Sequence, residues 1–179
     1  MTFPLASAKL QGYDPKQVDA LMTRVASQQE NPDREILSSA VVAVAKFDLV
    51  KGGYQIPSVD EAIAKVADSF EIRELERDIK RQGKAKAATE LAALLRLLKQ
   101  VLETDPKQRF DRTSQGYSPR MVNALIKRIE IKRSTLVTPT TFELRTISLG
   151  RSSNGFDRSQ VDEFLGAVVS AKHRQDLLG

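Results

Sequence analysis

His173 is the only histidine in this chain of 179 residues, and no cysteine accompanies it. An isolated imidazole near the C-terminus has no nucleophile or thiolate to work with, so it reads as a surface side chain rather than an acid or base. Three acidic residues recur in one setting: Asp19, Asp60 and Asp162 each follow a valine, and Asn123 takes the fourth such place. A carboxylate there suits the first turn of a helix, beside unpaired amides and the positive end of the helix dipole. The amide at Asn123 suggests that hydrogen bonding matters more than charge. Gly52-Gly53 is too short for a phosphate-binding loop, and no Gly-Lys-Ser/Thr follows it. The expectation is a protein with no catalytic residues, no metal site and no cofactor, and with no cysteine, disulfides and thiolate metal sites are excluded.

The elements that hold these residues repeat. Gly12-Tyr13-(x)4-Val18-Asp19, Gly53-Tyr54-(x)4-Val59-Asp60, Gly116-Tyr117-(x)4-Val122-Asn123 and Gly155-Phe156-(x)4-Val161-Asp162 are four copies of one pattern. Apolar residues then recur three, four and seven positions after each valine, the stripe of an amphipathic helix. Val18, Leu21, Met22 and Val25 make the first stripe; Val59, Ala62, Ile63 and Val66 the second; Val122, Leu125, Ile126 and Ile129 the third; Val161, Phe164, Leu165 and Val168 the fourth. Each copy reads as a turn that starts a helix. Asp14, Ser118 and Asp157 stand where a side-chain oxygen caps the new helix, and Pro15 and Pro119 where a first-turn proline fits. Gln17 and Gln160, three residues after their caps, complete a capping box. The second copy has Gln55 at the cap, which predicts a start at Ser58 with Glu61 reaching back. The glycine before each ring is expected in a backbone conformation closed to other residues, with the ring folded onto its own helix. Burial of a ring and four aliphatic side chains contributes about 1.5 to 3 kcal/mol each. On this reading the four rings are mainly structural.

The glycines lie 41 residues apart in the first pair, 63 in the middle and 39 in the last. Copies one and two therefore match copies three and four as a block, which predicts duplication and two pseudo-equivalent halves. Between them, residues 71–81 alternate in charge, Gln82-Gly83-Lys84 breaks the run, and residues 87–102 form a helix apolar on more than one face. This helix reads as a central strut, closed by Thr104-Asp105-Pro106. Asn31-Pro32-Asp33-Arg34-Glu35 is expected to open another helix through Val41, Val42, Val44 and Phe47. No convincing strand is visible, since Thr135-Leu136-Val137-Thr138 ends at Pro139. The fold class expected is all-α: turn-helix repeats in two halves joined by an apolar helix, with residues 1–83 holding copies one and two, 84–104 the connection and 105–179 copies three and four.

A hydrophobe, a short loop, Gly-Tyr-Asp and then Val-Asp-x-Phe-Leu resembles the N-terminal domain of the DivIVA family of bacterial division and polar-growth scaffolds. Copy four carries the resemblance furthest, from Asn154 through Gly155-Phe156-Asp157 to Val161-Asp162-Glu163-Phe164-Leu165. Thr138-Pro139 before it looks like that domain's short leading helix. The hydrophobe six residues before the glycine is Phe47, Phe110 and Leu149 in copies two to four, while in copy one Phe3 is displaced by three residues. The resemblance implies a non-enzymatic scaffold that recruits division or wall-synthesis proteins at the inner face of the membrane. Relatives that insert into membranes carry an arginine before Gly-Tyr; here Gln11, Gly52, Gln115 and Asn154 stand there. Basic residues lie close by at Lys9, Lys51, Arg112 and Arg151, and Leu10 and Val50 offer apolar tips, so Leu10, Val50, Lys51, Arg112 and Arg151 are the candidate membrane or partner contacts. Relatives also follow one such domain with a long coiled coil; this chain has no heptad run of that length. Tandem copies are therefore expected to pair within one chain as two subunits pair in the relatives.

Hydrophobic residues are 41% of the chain and charged ones 28%, enough for a core and a hydrated surface. No apolar run suits a membrane span and the N-terminus lacks a charged leader, so the location expected is the cytoplasm, with peripheral contact at septum or pole. The net charge of +5 is uneven: residues 1–71 hold 7 basic and 10 acidic side chains, residues 72–115 hold 11 and 7, residues 116–179 hold 10 and 6. Such an excess suits anionic lipid, an acidic protein or nucleic acid. The alternative function is accordingly a small basic helical nucleic-acid binder using Arg73, Arg77, Lys80, Arg81, Lys84 and Lys86. It is disfavoured because Glu74, Glu76 and Asp78 interrupt that run. The partners expected are proteins of the division or polar-growth machinery, a DivIVA-type scaffold among them, or a second copy of the chain.

Overall fold

The computed structural model describes residues 2–31 and 37–179. They are mostly helical, with small antiparallel sheets, so the chain is α with minor β rather than purely all-α. Two compact units divide it, Met1–Glu74 and Leu75–Gly179.

The first unit contains β1 (Gln11–Tyr13), α1 (Pro15–Glu30), α2 (Ser39–Ala43), β2 (Leu49–Lys51) and the greater part of α3 (Ile56–Gln82). Strands β1 and β2 pair antiparallel, with Gln11 opposite Lys51 and Tyr13 opposite Leu49. Asp14 caps α1 by accepting a hydrogen bond from the Lys16 amide at 2.9 Å, and Pro15 takes the first turn. The predicted stripe Val18, Leu21, Met22 and Val25 is the buried face of α1. Val59 is fully buried on α3, with Ile63 and Val66 packed beside it and Ala67 and Phe70 continuing the face. α3 starts at Ile56, two residues ahead of Ser58, and Glu61 pairs with Lys65 at 2.6 Å instead of reaching back. Of the helix expected to open at Asn31, positions 32–36 lie outside the described residues. The next element is the short α2, and the Ser39 amide and hydroxyl at its start both bond Glu74.

The second unit contains α4 (Lys84–Glu103), β3 (Arg112–Thr113), β4 (Gly116–Tyr117), α5 (Pro119–Ile126), β5 (Glu130–Lys132), β6 (Thr135–Val137), α6 (Thr141–Thr146), β7 (Arg151–Ser152), β8 (Gly155–Phe156) and α7 (Arg158–Leu178). Four of these strands form one sheet in the order β3-β8-β4-β7. The apolar helix α4, expected as a strut, packs on α7: Leu95 and Leu98 enter a core with Val122, Leu125, Ile126, Phe156, Val161, Phe164 and Val168. Arg174 on α7 reaches Glu90 on α4 at 2.8 Å. Residues 135–137, where the sequence shows no strand pattern, pair with β5 through a two-residue turn in which Arg133 and Ser134 both have positive φ. That geometry normally selects Asn-Gly, so its usual signal is missing here. Leu136 is buried and its amide and carbonyl both bond the Gln175 side chain, which holds the hairpin against α7. α6 begins two residues after Pro139, capped by Thr140.

Candidate functional site

Copies one and two meet at their glycines. The Tyr13 amide donates to the Tyr54 carbonyl at 2.9 Å and the Tyr54 amide donates to the Tyr13 carbonyl at 2.8 Å. A Cβ on Gly12 would lie 2.7 Å from the Gly53 carbonyl carbon and closer still to the Tyr54 oxygen; one on Gly53 would meet Gly12 and Tyr13 in the same way. Copies three and four repeat this crossing. Gly155 opposes Thr113, Phe156 opposes both Arg112 and Tyr117, and a Cβ on Gly116 or Gly155 would run into the other turn's backbone. The glycines are therefore needed for the close approach of two main chains, not for a special dihedral. Positive φ falls elsewhere, on Gly52, Gly83 and Gly150.

The rings likewise act across the pair instead of folding onto their own helix. The Tyr54 hydroxyl lies 3.2 and 3.3 Å from the two Asp19 carboxylate oxygens, from copy two to copy one. Tyr13 bonds Asp60 in the opposite sense, and Tyr117 bonds Asp162. The carboxylates that seemed placed for the helix dipole are thus acceptors for the partner copy's ring. Burial, then the Asp60 charge and its hydrogen bond, pushes the Tyr13 hydroxyl up to about 12. Burial also raises Tyr54, with Asp19 adding to it, and raises Tyr117 with Asp162, the latter opposed by Arg158, whose guanidinium lies 5.2 Å from the Tyr117 ring. The Asp60 carboxyl is raised by burial, against which the Tyr13 hydrogen bond works.

The hydrophobes before the glycines are exchanged too. Phe47, ahead of copy two, packs edge-on against Tyr13 of copy one at 5.3 Å, and Phe110, ahead of copy three, against Phe156 of copy four at 5.4 Å. Phe3 meets Tyr54 at 5.4 Å, so its displacement by three residues is absorbed in the loop and its place is equivalent. The predicted capping boxes give way to another exchange: the Gln17 side chain accepts from the Asp48 amide at 2.8 Å and donates to its carboxylate at 2.7 Å, and Gln160 does the same with Asp111. Asp157 caps α7 through the Gln160 amide at 3.0 Å, while Ser118 sits at the start of α5 with no side-chain cap bond. Sequence reasoning missed Asp48 and Asp111, although both stand in a Phe-Asp pair five residues before the repeat glycine.

The candidate contact residues separate by unit. In the first, Gln11 pairs with Lys51 and the Gly52 amide donates to the Leu10 carbonyl at 2.9 Å, which brings Leu10, Val50 and Lys51 to one tip. Leu10 is 63% exposed there, Leu49 47% and Leu5 61%. In the second, Arg112 is engaged: its guanidinium lies 4.3 Å from the Phe156 ring centroid and donates to the Asn154 and Lys107 carbonyls. Arg151 is exposed on β7 opposite Tyr117. His173, expected on the surface, is buried on α7, where it follows Val168, Val169 and Ala171 on the inner face.

Among the described residues no helix is long and apolar enough to cross a membrane. Comparison with protein-family models, curated proteins and solved structures returned no match to this chain.

Proposed function

We propose that this chain is a non-enzymatic adaptor or scaffold of bacterial cell division or polar growth, of the DivIVA type, in which tandem copies of one turn-helix element form two pseudo-equivalent halves. The observation that carries this reading is the reciprocal backbone bonding of Tyr13 and Tyr54 over two apposed glycines. Two copies related in this way within one chain do what two subunits of a dimeric scaffold would do, and the repeat motif then serves assembly rather than catalysis. The exposed tip of Leu10, Val50 and Lys51 is the surface that meets a division protein or the anionic inner face of the membrane: a cation beside aliphatic side chains suits an interface that is charged outside and apolar beneath.

Fluorescent fusion to the native protein tests the cellular role, with a focus at septum or pole expected and a diffuse signal standing against it. Co-sedimentation with vesicles containing anionic lipid tests the tip separately. A Leu10→Asp, Lys51→Glu variant is expected to lose at least several-fold in bound fraction; equal partitioning of variant and parent would leave the tip to a protein partner.

A further inference from the structure

The residue after each repeat ring donates its backbone amide to the chain ahead of the partner copy. Asp14 reaches the Asp48 carbonyl at 2.8 Å, Gln55 that of Pro4 at 2.9 Å, Asp157 that of Asp111 at 2.8 Å, and Ser118 those of Leu149 and Gly150 at 3.2 and 3.3 Å. Asp48, Pro4, Asp111 and Gly150 therefore hold equivalent places. In the receiving copies, the residue five positions after the glycine is Gln17, Ser58, Gln160 and Met121 in the same order. Gln17 and Gln160 accept from the Asp48 and Asp111 amides through Oε1, both at 2.8 Å. Pro4 has no amide hydrogen to give. Gly150 has one, yet it meets a thioether: its φ is +61°, and a Cβ built on it would lie 2.9 Å from Met121 Sδ. Among the described residues no side-chain oxygen accepts from the Gly150 amide.

We infer that Met121 is a reversible oxidation site, at which the sulfoxide takes the place of the glutamine that copies one and four carry. The two side chains correspond atom for atom: the sulfur of a methionine sulfoxide stands where glutamine has Cδ, its oxygen where Oε1 would be and its methyl where Nε2 would be. The thioether is a weak acceptor, and oxidation puts a polar oxygen on it, within reach of the Gly150 amide. The methyl cannot donate as Nε2 of Gln17 and Gln160 donates to an aspartate, but Gly150 has no carboxylate to leave unpaired. Its missing Cβ also leaves the space that the sulfur occupies. The oxidant is a hydroperoxide: a sulfur lone pair takes the terminal oxygen as the O–O bond breaks, and water or an alcohol leaves. Two thiols of a reductase reverse the step, closing to a disulfide while the oxygen departs as water. Met121 is 43% exposed and open to a small oxidant, whereas Met22, at 9%, lies in a core with Val18, Tyr54 and Val59. Oxidation thus fastens copy four's approach to copy three, a response to peroxide that goes beyond an adaptor role.

Hydrogen peroxide on the full chain tests this, with peptide mass mapping at Met1, Met22 and Met121 and amide exchange at Gly150 read by NMR. Met121 is expected to oxidise several-fold faster than Met22. The Gly150 amide should then exchange roughly fivefold more slowly, the gain that one neutral hydrogen bond supplies. A Met121→Gln variant should show the slower exchange without peroxide, while Met121→Leu should exchange like the parent and stay indifferent to peroxide. Methionine sulfoxide reductases with dithiothreitol should return the oxidised parent to its first rate. The assignment would be overturned by oxidation of Met121 no faster than of Met22, by unchanged or faster Gly150 exchange once Met121 is oxidised, or by a Met121→Gln chain that behaves as Met121→Leu. Slowing that persists in Met121→Leu, or that the reductases do not reverse, would overturn it equally.

Discussion

The crossed turns of Met1–Glu74 hold two tyrosine-aspartate contacts and end in an apolar, lysine-bearing tip. Those of Leu75–Gly179 hold one such contact, replace the other by Phe156 and Asn123, and fold their nearest cation, Arg112, back over the Phe156 ring. The backbone crossing is common to both. The difference teaches that the glycines and the rings over them are what the two pairs share, while the polar groups around them are what differs. In the first unit Leu10 and Val50 remain outside, whereas the corresponding loops of the second are Ser114-Gln115 and Ser152-Ser153-Asn154, with nothing apolar to offer.

If the glycines do the common work, Gly12→Ala and Gly116→Ala should be the largest perturbations and should act alike. Each adds a carbon where a carbonyl already sits, in backbone that cannot yield without breaking the reciprocal bonds. A loss of about 3 kcal/mol or more is expected from each in denaturant unfolding. A tolerated alanine in either unit would break the equivalence of the two crossings.

Alkali should divide the units next. The folded state holds the Tyr13 proton more tightly than the unfolded chain, whose tyrosines titrate near 10; this stabilisation is complete below pH 10 and is lost as pH rises toward about 12. Partial exposure weakens the effect, which should be on the order of 1 kcal/mol at Tyr13. With Tyr54 shifted in the same direction, the first unit has two such groups and the second only Tyr117. Amide exchange at Tyr13 and Tyr54 should accelerate more steeply above pH 10 than at Phe156, after correction for intrinsic rates; parallel acceleration would remove the distinction.

The smallest effect sharpens what the units share. Gln17→Ala and Gln160→Ala each remove two hydrogen bonds to an aspartate that sits at the surface, and each should cost about 1 kcal/mol or less by thermal unfolding. Matching values would support one design for both crossings, and a marked difference would show that one unit relies on the clamp and the other does not.

Much of this was legible in the chain. The Gly-aromatic pattern and the apolar stripes located four helices, and the start of all but the second, because a helix declares itself locally: Val18, Leu21, Met22 and Val25 share a face through the backbone period alone. Asp14 and Asp157 announced their caps for the same reason, being two or three residues from the amides they bind. The strands were not legible, since runs of two or three residues are too short for alternation to show, and the 133–134 turn uses residues that do not advertise positive φ.

Sequence by itself determined where each copy begins, which side of its helix is apolar and that position 123 departs from its three counterparts. Only the tertiary structure decided which side chains meet across each pair. Tyr54 and Asp19 are 35 residues apart, and Gln160 and Asp111 49, so no local period links them. Their partnership comes into being when two backbones approach closely enough that glycine alone fits between them, and that approach is a property of the folded pair, not of either segment.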